Sequence, residues 1–241
     1  KIKNNFFEEV KKIKKVLKAK KHRNEVVEDY IIDLEDKNHI SNILVNKLSN
    51  LLNDLNNYYD AKVVIVDVDA WKNYSYKKKI IKKNNFDFMA ESFHQDGYLP
   101  NYIKIHINLQ DVTEDMGPLK VVKKKFNKQF IKEHRYQNRF IYNQNENLKS
   151  HYIYSNEGKI GDALLFDSTN CFHRASVPSD GQTREMLQLT LLVLPKKNKQ
   201  TPSFSPNQVV NYFNIYKSMT KPRSRVKTLR LLLNYMSLFK N

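Results

Sequence analysis

Two side chains near the middle of the chain, His94 and Asp96 in Phe93-His94-Gln95-Asp96-Gly97, are of types that bind metal ions and stand two residues apart. In an extended strand successive side chains alternate between faces, so an imidazole at one position and a carboxylate two residues on converge while Gln95 points away. A His-x-Asp pair arises often by coincidence, so it needs a third ligand. His173 supplies one, just after the Gly161-Asp162 turn and the apolar strand Ala163-Leu164-Leu165-Phe166. Two imidazoles and one carboxylate form the facial triad of non-haem Fe(II) chemistry, which leaves coordination positions open for a cosubstrate and dioxygen. Further on, Arg184 heads the apolar run Met186 to Leu194. A guanidinium there can grip a remote carboxylate through two parallel hydrogen bonds. Taken singly, the histidines read as core residues, Asp96 as a turn residue before Gly97 and Arg184 as a surface cation. Their joint order carries the signal.

These residues need elements to hold them. From Asn5 to Leu34 the apolar positions Phe6, Val10, Ile13, Val16 and Leu17 recur at spacings of three and four, which predicts a helix. Asn38 to Tyr58 repeats the pattern through Ile40, Leu44, Leu48, Leu51 and Leu55, with Ser41 or Asn38 available as a cap. At Ala61 the period changes. Lys62 to Val68 is β-branched and nearly continuous, as in a buried strand. Short strands follow at Phe88 to Phe93, Tyr102 to Leu109, Leu119 to Val122, Phe140 to Tyr142, Tyr152 to Tyr154, Ala163 to Phe166 and Met186 to Leu194. The stretch from Lys124 to Lys149 reads as a long polar insertion. Many short strands without a helical period between them suit a sandwich or jelly roll better than an α/β sheet. After a Pro/Ser/Gln linker, residues 224 to 239 carry an apolar helical stripe opposite Lys and Arg.

At 241 residues the chain has room for one core, and 40% hydrophobic content is ample to fill it, so disorder throughout is excluded. The single cysteine, Cys171, cannot form an internal disulfide and reads as a small buried hydrophobe. Apolar runs are too short to span a bilayer, and the basic start lacks an apolar secretory core. A cytoplasmic protein is expected. The net charge of +17 is unevenly placed, with ten Lys and Arg and no Asp or Glu from Pro195 to Asn241. Such a segment suits peripheral contact with an anionic inner membrane surface, or steering of an acidic substrate.

Taken together, the spaced elements Phe93-His94-Gln95-Asp96, the strand and turn Ile103 to Leu119 with its Gly117-Pro118, Gly161-Asp162-Ala163-Leu164-Leu165-Phe166, and His173 followed by Arg184 resemble the phytanoyl-CoA dioxygenase family of Fe(II)- and 2-oxoglutarate-dependent oxygenases. The resemblance covers roughly Phe88 to Leu194. It implies a mainly β fold with flanking helices around a double-stranded β-helix, a cupin-like jelly roll. In that arrangement residues 1–60 form a helical flank, 61–195 the catalytic core and 196–241 a basic helical extension, all in one structural domain. It further implies that His94, Asp96 and His173 hold Fe(II), that Arg184 pairs with the distal carboxylate of 2-oxoglutarate, and that Lys104 is a second cosubstrate candidate. A carboxylate at Asp96 favours hydroxylation, since related halogenases carry a small residue there. The chain departs from the family after Leu119, where relatives often continue into Pro-Gly-Ser-His and this one reads Val121-Val122-Lys123-Lys124-Lys125-Phe126.

The implied activity is a dioxygenase hydroxylating an unactivated C–H bond of a small or lipid-linked acidic substrate. Two alternatives stand beside it. One is a jelly roll that binds metal without turnover. The other is a basic nucleic-acid-binding module, suggested by aromatics among basic residues at Arg135-Tyr136 and Arg139-Phe140. Nucleic acid leaves the His-x-Asp, Gly-Pro and His/Arg order unexplained. His106 and Asn108 share a face with Lys104 and either line the cavity or meet solvent.

Overall fold

The computed structural model describes residues 6–24, 26–75, 90–96, 102–137 and 150–195. The predicted strand at 140–142, the first two residues of that at 88–93, and the whole basic extension 196–241 lie outside these residues. Residues 90–93 are described and are irregular rather than a strand, with an isolated bridge following at His94. Nine strands and three α-helices are present among them: α1 (Phe7–Val16), β1 (Lys20–Asn24), β2 (Val27–Tyr30), α2 (Leu34–Tyr58), β3 (Ala61–Tyr74), β4 (Tyr102–Asn108), β5 (Leu119–Val122), α3 (Asn127–Glu133), β6 (Ile153–Ser155), β7 (Ala163–Asp167), β8 (His173–Ala175) and β9 (Thr183–Pro195).

The helix predicted over 5–34 covers only its first part. The apolar stripe ends at Leu17, and Lys20–Asn24 is polar at every position, so it has no face to bury as a helix. It pairs instead with β2 as an antiparallel hairpin. The second helix begins earlier than expected, because Asp33 rather than Asn38 or Ser41 caps it, its side chain accepting from the Asp36 N–H at 2.8 Å. Within the stretch expected as a polar insertion, Phe130 anchors α3 by burying among Phe93, Val122 and Phe172. The long strand after Ala61 and those at 102, 119, 153, 163 and 186 form close to where their period predicts.

Six strands make one sheet in the order β1-β2-β3-β9-β4-β7, and three make a second in the order β6-β5-β8. All pairings are antiparallel. The fold is mainly β, a double-stranded β-helix, with α1 and α2 on the outer face of the large sheet and α3 beside the small one.

The central strand shows why the two faces of the large sheet differ. Leu187, Leu189 and Leu191 alternate with Arg184, Met186, Gln188 and Thr190 along β9. The leucines join Ile103, Ile105 and Ile107 of β4 and Val63, Ile65 and Val68 of β3 in the main core, covered by Val10 and Ile13 of α1 and Ile40, Leu44 and Leu48 of α2. Each fully buried aliphatic side chain of this kind contributes about 1.5–3 kcal/mol. The opposite face mixes Arg184, His106, Gln188 and Thr190 with the apolar Met186, Leu164 and Phe166, and turns toward the small sheet.

Two close approaches hold the small sheet in register. Gly117, at φ +69°, precedes Pro118 and β5, and a Cβ there would lie 2.4 Å from the Ser176 carbonyl oxygen. The Ser176 N–H donates to the Pro118 carbonyl at 3.2 Å, which sets Leu119 opposite Ala175 and Val121 opposite His173. Gly181 has a similar φ of +75° but nothing within 4 Å of a new Cβ. Gly181→Ala should therefore cost only the left-handed conformation, about 1 kcal/mol, whereas Gly117→Ala adds a clash and should cost roughly 2–4 kcal/mol. Urea denaturation of the two variants measures the difference, and equal losses would refute the close β5–β8 approach.

Candidate metal centre

His94 and His173 come from segments far apart in sequence and meet as an antiparallel bridge. The His94 N–H donates to the His173 carbonyl at 3.0 Å and the His173 N–H returns to the His94 carbonyl at 2.9 Å. Directly opposed residues in such a pair project to the same face. Their ring centroids are 4.4 Å apart. The Asp96 N–H is tied to the Ser168 carbonyl at 2.9 Å, and its Oδ1 lies 3.8 Å from His94 Nε2 and 3.7 Å from His173 Nε2. One donor atom from each of the three residues falls within 4.8 Å of the others.

Both imidazoles are oriented by the same local device. His94 Nδ1 is 2.9 Å from the Ser92 carbonyl and His173 Nδ1 is 3.0 Å from the Cys171 carbonyl, each two residues back. A carbonyl can only accept, so each Nδ1 carries the proton and each Nε2 presents a lone pair to the cluster. Two neutral nitrogen donors and a carboxylate oxygen, all turned inward, are a donor set that suits a divalent transition metal.

The electrostatics agree with that state. Burial holds the His173 imidazole down to a pKa of about 4, so it is neutral near pH 7. Burial pushes Asp96 upward, but the Lys104 ammonium and His173 outweigh it and hold the carboxyl at about 2. Lys104 Nζ sits 2.7 Å from Asp96 Oδ2.

A cavity of about 450 Å³ opens beside the cluster, lined in part by His94, His173, Lys104, His106 and Arg184. Arg184 is 1% exposed, and its Nε and Nη1 have no hydrogen-bond partner among the described residues. Burial alone brings its pKa down to about 10, still well above neutrality, so it is a cation. A buried cation without a partner is costly, and a ligand carboxylate would relieve that cost.

All five sequence-predicted residues are thus described, and four of them line one cavity with Asp96 against Lys104. His106 lines the cavity too, its Nε2 2.8 Å from Gln188 Oε1, whereas Asn108 is fully buried and bonded to Asn156. Asp69, Trp71 and Asn73 of β3 also line it and were not singled out from the sequence. Their signal is the alternation Asp67-Val68-Asp69-Ala70-Trp71, in which Val68 and Ala70 face the helices.

Compared with protein-family models and with curated protein sequences, the chain matches none. Solved structures do match. One is the non-heme alpha ketoglutarate dependent carbocyclase SnoK from nogalamycin biosynthesis, at 11% identity over 82% of this chain and 84% of that one, with a TM-score of 0.50. HygX from Streptomyces hygroscopicus, solved with nickel and 2-oxoglutarate, gives 13% identity over 78% and 79% of the two chains and a TM-score of 0.48. The likeness to SnoK is one of fold. Among the described residues no helix is long and apolar enough to cross a membrane.

The buried imidazole gives a pH signature. As pH falls from 6.5 to 4 the unfolded chain takes up a proton at His173 that the folded chain refuses, so this group's stabilisation is full above 6.5 and lost as pH falls through about 4. Asp69, pushed up to about 6 by burial and by Asp67, acts in the opposite sense over much of the same window. The stability difference between wild type and His173→Gln isolates the imidazole. In chelator-treated protein, wild type should fall relative to the variant by on the order of 3 kcal/mol between pH 6.5 and 4. Parallel thermal melts at the two pH values would contradict the neutral imidazole.

Proposed function

We propose that this chain is an Fe(II)- and 2-oxoglutarate-dependent dioxygenase of the phytanoyl-CoA dioxygenase-like kind, a hydroxylase acting on an unactivated C–H bond. The observation that carries the reading is the His94, Asp96 and His173 set beside a cavity that also holds Arg184, whose Nε and Nη1 have no hydrogen-bond partner among the described residues. A metal alone accounts for the three ligands but not for a buried arginine. A diacid cosubstrate accounts for both. The description of SnoK as alpha ketoglutarate dependent fits this reading.

His94, Asp96 and His173 hold the iron, and Arg184 receives the distal carboxylate of 2-oxoglutarate. Iron, 2-oxoglutarate and dioxygen together supply oxidative decarboxylation of the keto acid to succinate and CO₂ coupled to hydroxylation of the substrate. The chain's own part is positional. The Ser92 and Cys171 carbonyls keep the imidazoles in one tautomer, and Arg184 fixes the cosubstrate's far end. Phe166, packed 5.1 Å from the His173 ring, and Leu119 limit water beside the site. The substrate in this reading is small or lipid-linked and acidic, drawn by the net charge of +17. Peripheral contact with an anionic membrane would fall to the basic extension at 196–241.

Anaerobic addition of Fe(II) and 2-oxoglutarate should give a visible metal-to-ligand charge-transfer band that His94→Ala abolishes. Succinate release under oxygen then separates an enzyme from a silent jelly roll. Retention of full iron-dependent turnover by His94→Ala would end the proposal.

Arg184→Met gives a second test with two readouts of opposite sign. Removing an unpaired buried charge should raise the stability of the ligand-free protein by about 1–4 kcal/mol. The same change should weaken 2-oxoglutarate binding to the metal-loaded protein by roughly 100-fold, while metal affinity stays within about threefold. Calorimetric titration and thermal melting read the two effects, and undiminished 2-oxoglutarate affinity would remove Arg184 from the site.

A further inference from the structure

The two oxygens of the Asp96 carboxylate have different partners. Oδ1 is the oxygen that both imidazole Nε2 atoms approach, at 3.8 and 3.7 Å. Oδ2 faces Lys104 Nζ at 2.7 Å in an ion pair without hydrogen-bond alignment, and the Ser168 side chain also acts on this carboxyl. We infer that Lys104 is the positioning residue for Asp96: it occupies Oδ2 and turns Oδ1, alone of the two oxygens, toward His94 and His173. The inference rests on the metal-site reading above, and it gives Lys104 a role other than that of a cosubstrate ligand.

Asp96 needs such a clamp because the backbone does not set its direction. His94 is held by a reciprocal bridge, and His173 by strand β8. Asp96 lies beyond the bridge, outside any regular strand, with its N–H tied to the Ser168 carbonyl. A carboxylate on such a segment can rotate about its side-chain torsions. Lys104 comes from the opposite kind of environment. It sits in β4, paired with Phe166 of β7 on one side and Thr190 of β9 on the other, in the interior of the large sheet. Its ammonium carries the position of that sheet across to the ligand cluster. The pair is shielded, with the two side chains 19% and 17% exposed, so water weakens it less than it would a surface pair.

An ammonium already committed to Asp96 is poorly placed to meet a cosubstrate carboxylate. Arg184 enters the same cavity from six residues nearer the start of β9 than the Lys104 partner Thr190. One cation therefore serves the ligand set and the other remains for a diacid.

Removing the ammonium acts on a divalent ion in two opposed ways. Loss of orientation weakens binding, and relief of like-charge repulsion strengthens it. A positioning role requires the first to win. Co(II) titrated into chelator-treated protein provides the measurement, followed by 2-oxoglutarate titrated into the Co(II)-loaded protein. Lys104→Met should weaken Co(II) binding about tenfold or more and alter the Co(II) visible spectrum. Lys104→Arg should recover most of that affinity. In both variants 2-oxoglutarate affinity should stay within about threefold of wild type.

Unchanged or tighter Co(II) binding by Lys104→Met overturns the inference, as does a loss of 2-oxoglutarate affinity larger than the loss of Co(II) affinity. The second result would make Lys104 a cosubstrate ligand. Melting curves of the metal-free variants check folding. If the Met variant does not fold, Lys104→Gln, which keeps a donor for Oδ2 without the charge, should weaken Co(II) at least about threefold, and wild-type affinity in it overturns the inference. Failure of wild type to bind Co(II) would instead refute the metal site itself, which is distinct from a wild type that binds and variants that match it.

Discussion

The site depends on two backbone hydrogen bonds, those exchanged by His94 and His173. They join stretches of chain nearly eighty residues apart and decide which way both imidazoles face. Side chains alternate along a strand, so a slip of one residue in this pairing would send one ring to the far side of the sheet. The register is guarded from both edges of β8. On one edge Val121 stands opposite His173, fixed by the tight passage at Gly117. On the other the Ala175 N–H donates to the Ala90 carbonyl at 2.9 Å, a second backbone tie beside the isolated His94–His173 bridge. Backbone geometry thus places two ligands, and side-chain bonds to Ser92 and Cys171 choose their tautomer.

Such a site is tolerable because the large sheet divides its labour between its faces. Leu187, Leu189 and Leu191 bury against the helices at essentially no exposure, and that face supplies hydrophobic stabilisation. The cavity face holds Arg184, His106, Gln188 and Thr190, all buried and polar. Desolvating a guanidinium whose Nε and Nη1 find no hydrogen-bond partner among the described residues costs several kcal/mol, and a neutral buried imidazole gives little back. The cost is offset across the thickness of a single sheet. Removing aliphatic contacts on the outside should consequently lower the stability of the inside without touching any residue of the site.

How far this was legible beforehand follows from what each signal depends on. That His94, Asp96 and His173 would meet, with Arg184 in the adjoining cavity, was legible from the spaced motifs of the resemblance rather than from strand parity, since Asp96 lies outside any regular strand. Helix α2 and the strands from Ala61 onward were readable because their apolar periods are long. The β1–β2 hairpin was not readable, since Lys20–Asn24 has no apolar alternation and gains its place by pairing with β2. Strand β8, only three residues long, is too short to show any period. The part played by Lys104 was hidden for a different reason. Sequence assigns it to a strand and a face, but a flexible four-carbon stem can reach several anions, and only the packed arrangement shows Asp96 at its end. Asp69, Trp71 and Asn73 lie beyond the strand predicted over 62–68, in the part of β3 that carries it on to Tyr74.

Arg184 and Glu185 show most directly how strand geometry keeps the cavity's charge available. They are adjacent and opposite in sign, and in a helix or a turn they could neutralise one another. In β9 they point to opposite faces. Glu185 turns outward, where Lys14, Lys20 and Lys72 each approach to 3.6 Å. Those cations hold its carboxyl low against the opposing effect of burial. They tie the start of β9 to α1, β1 and β3. With the carboxylate satisfied on the far side, Arg184 keeps its full charge toward the cavity, opposite Asn73, which can offer it no countercharge. Had the acid stood two residues away on the same face, an internal ion pair could have formed and the anchor for a diacid would have been lost. The alternation that sends Arg184 inward and Glu185 outward thus keeps a neighbouring carboxylate from closing the far end of the cavity.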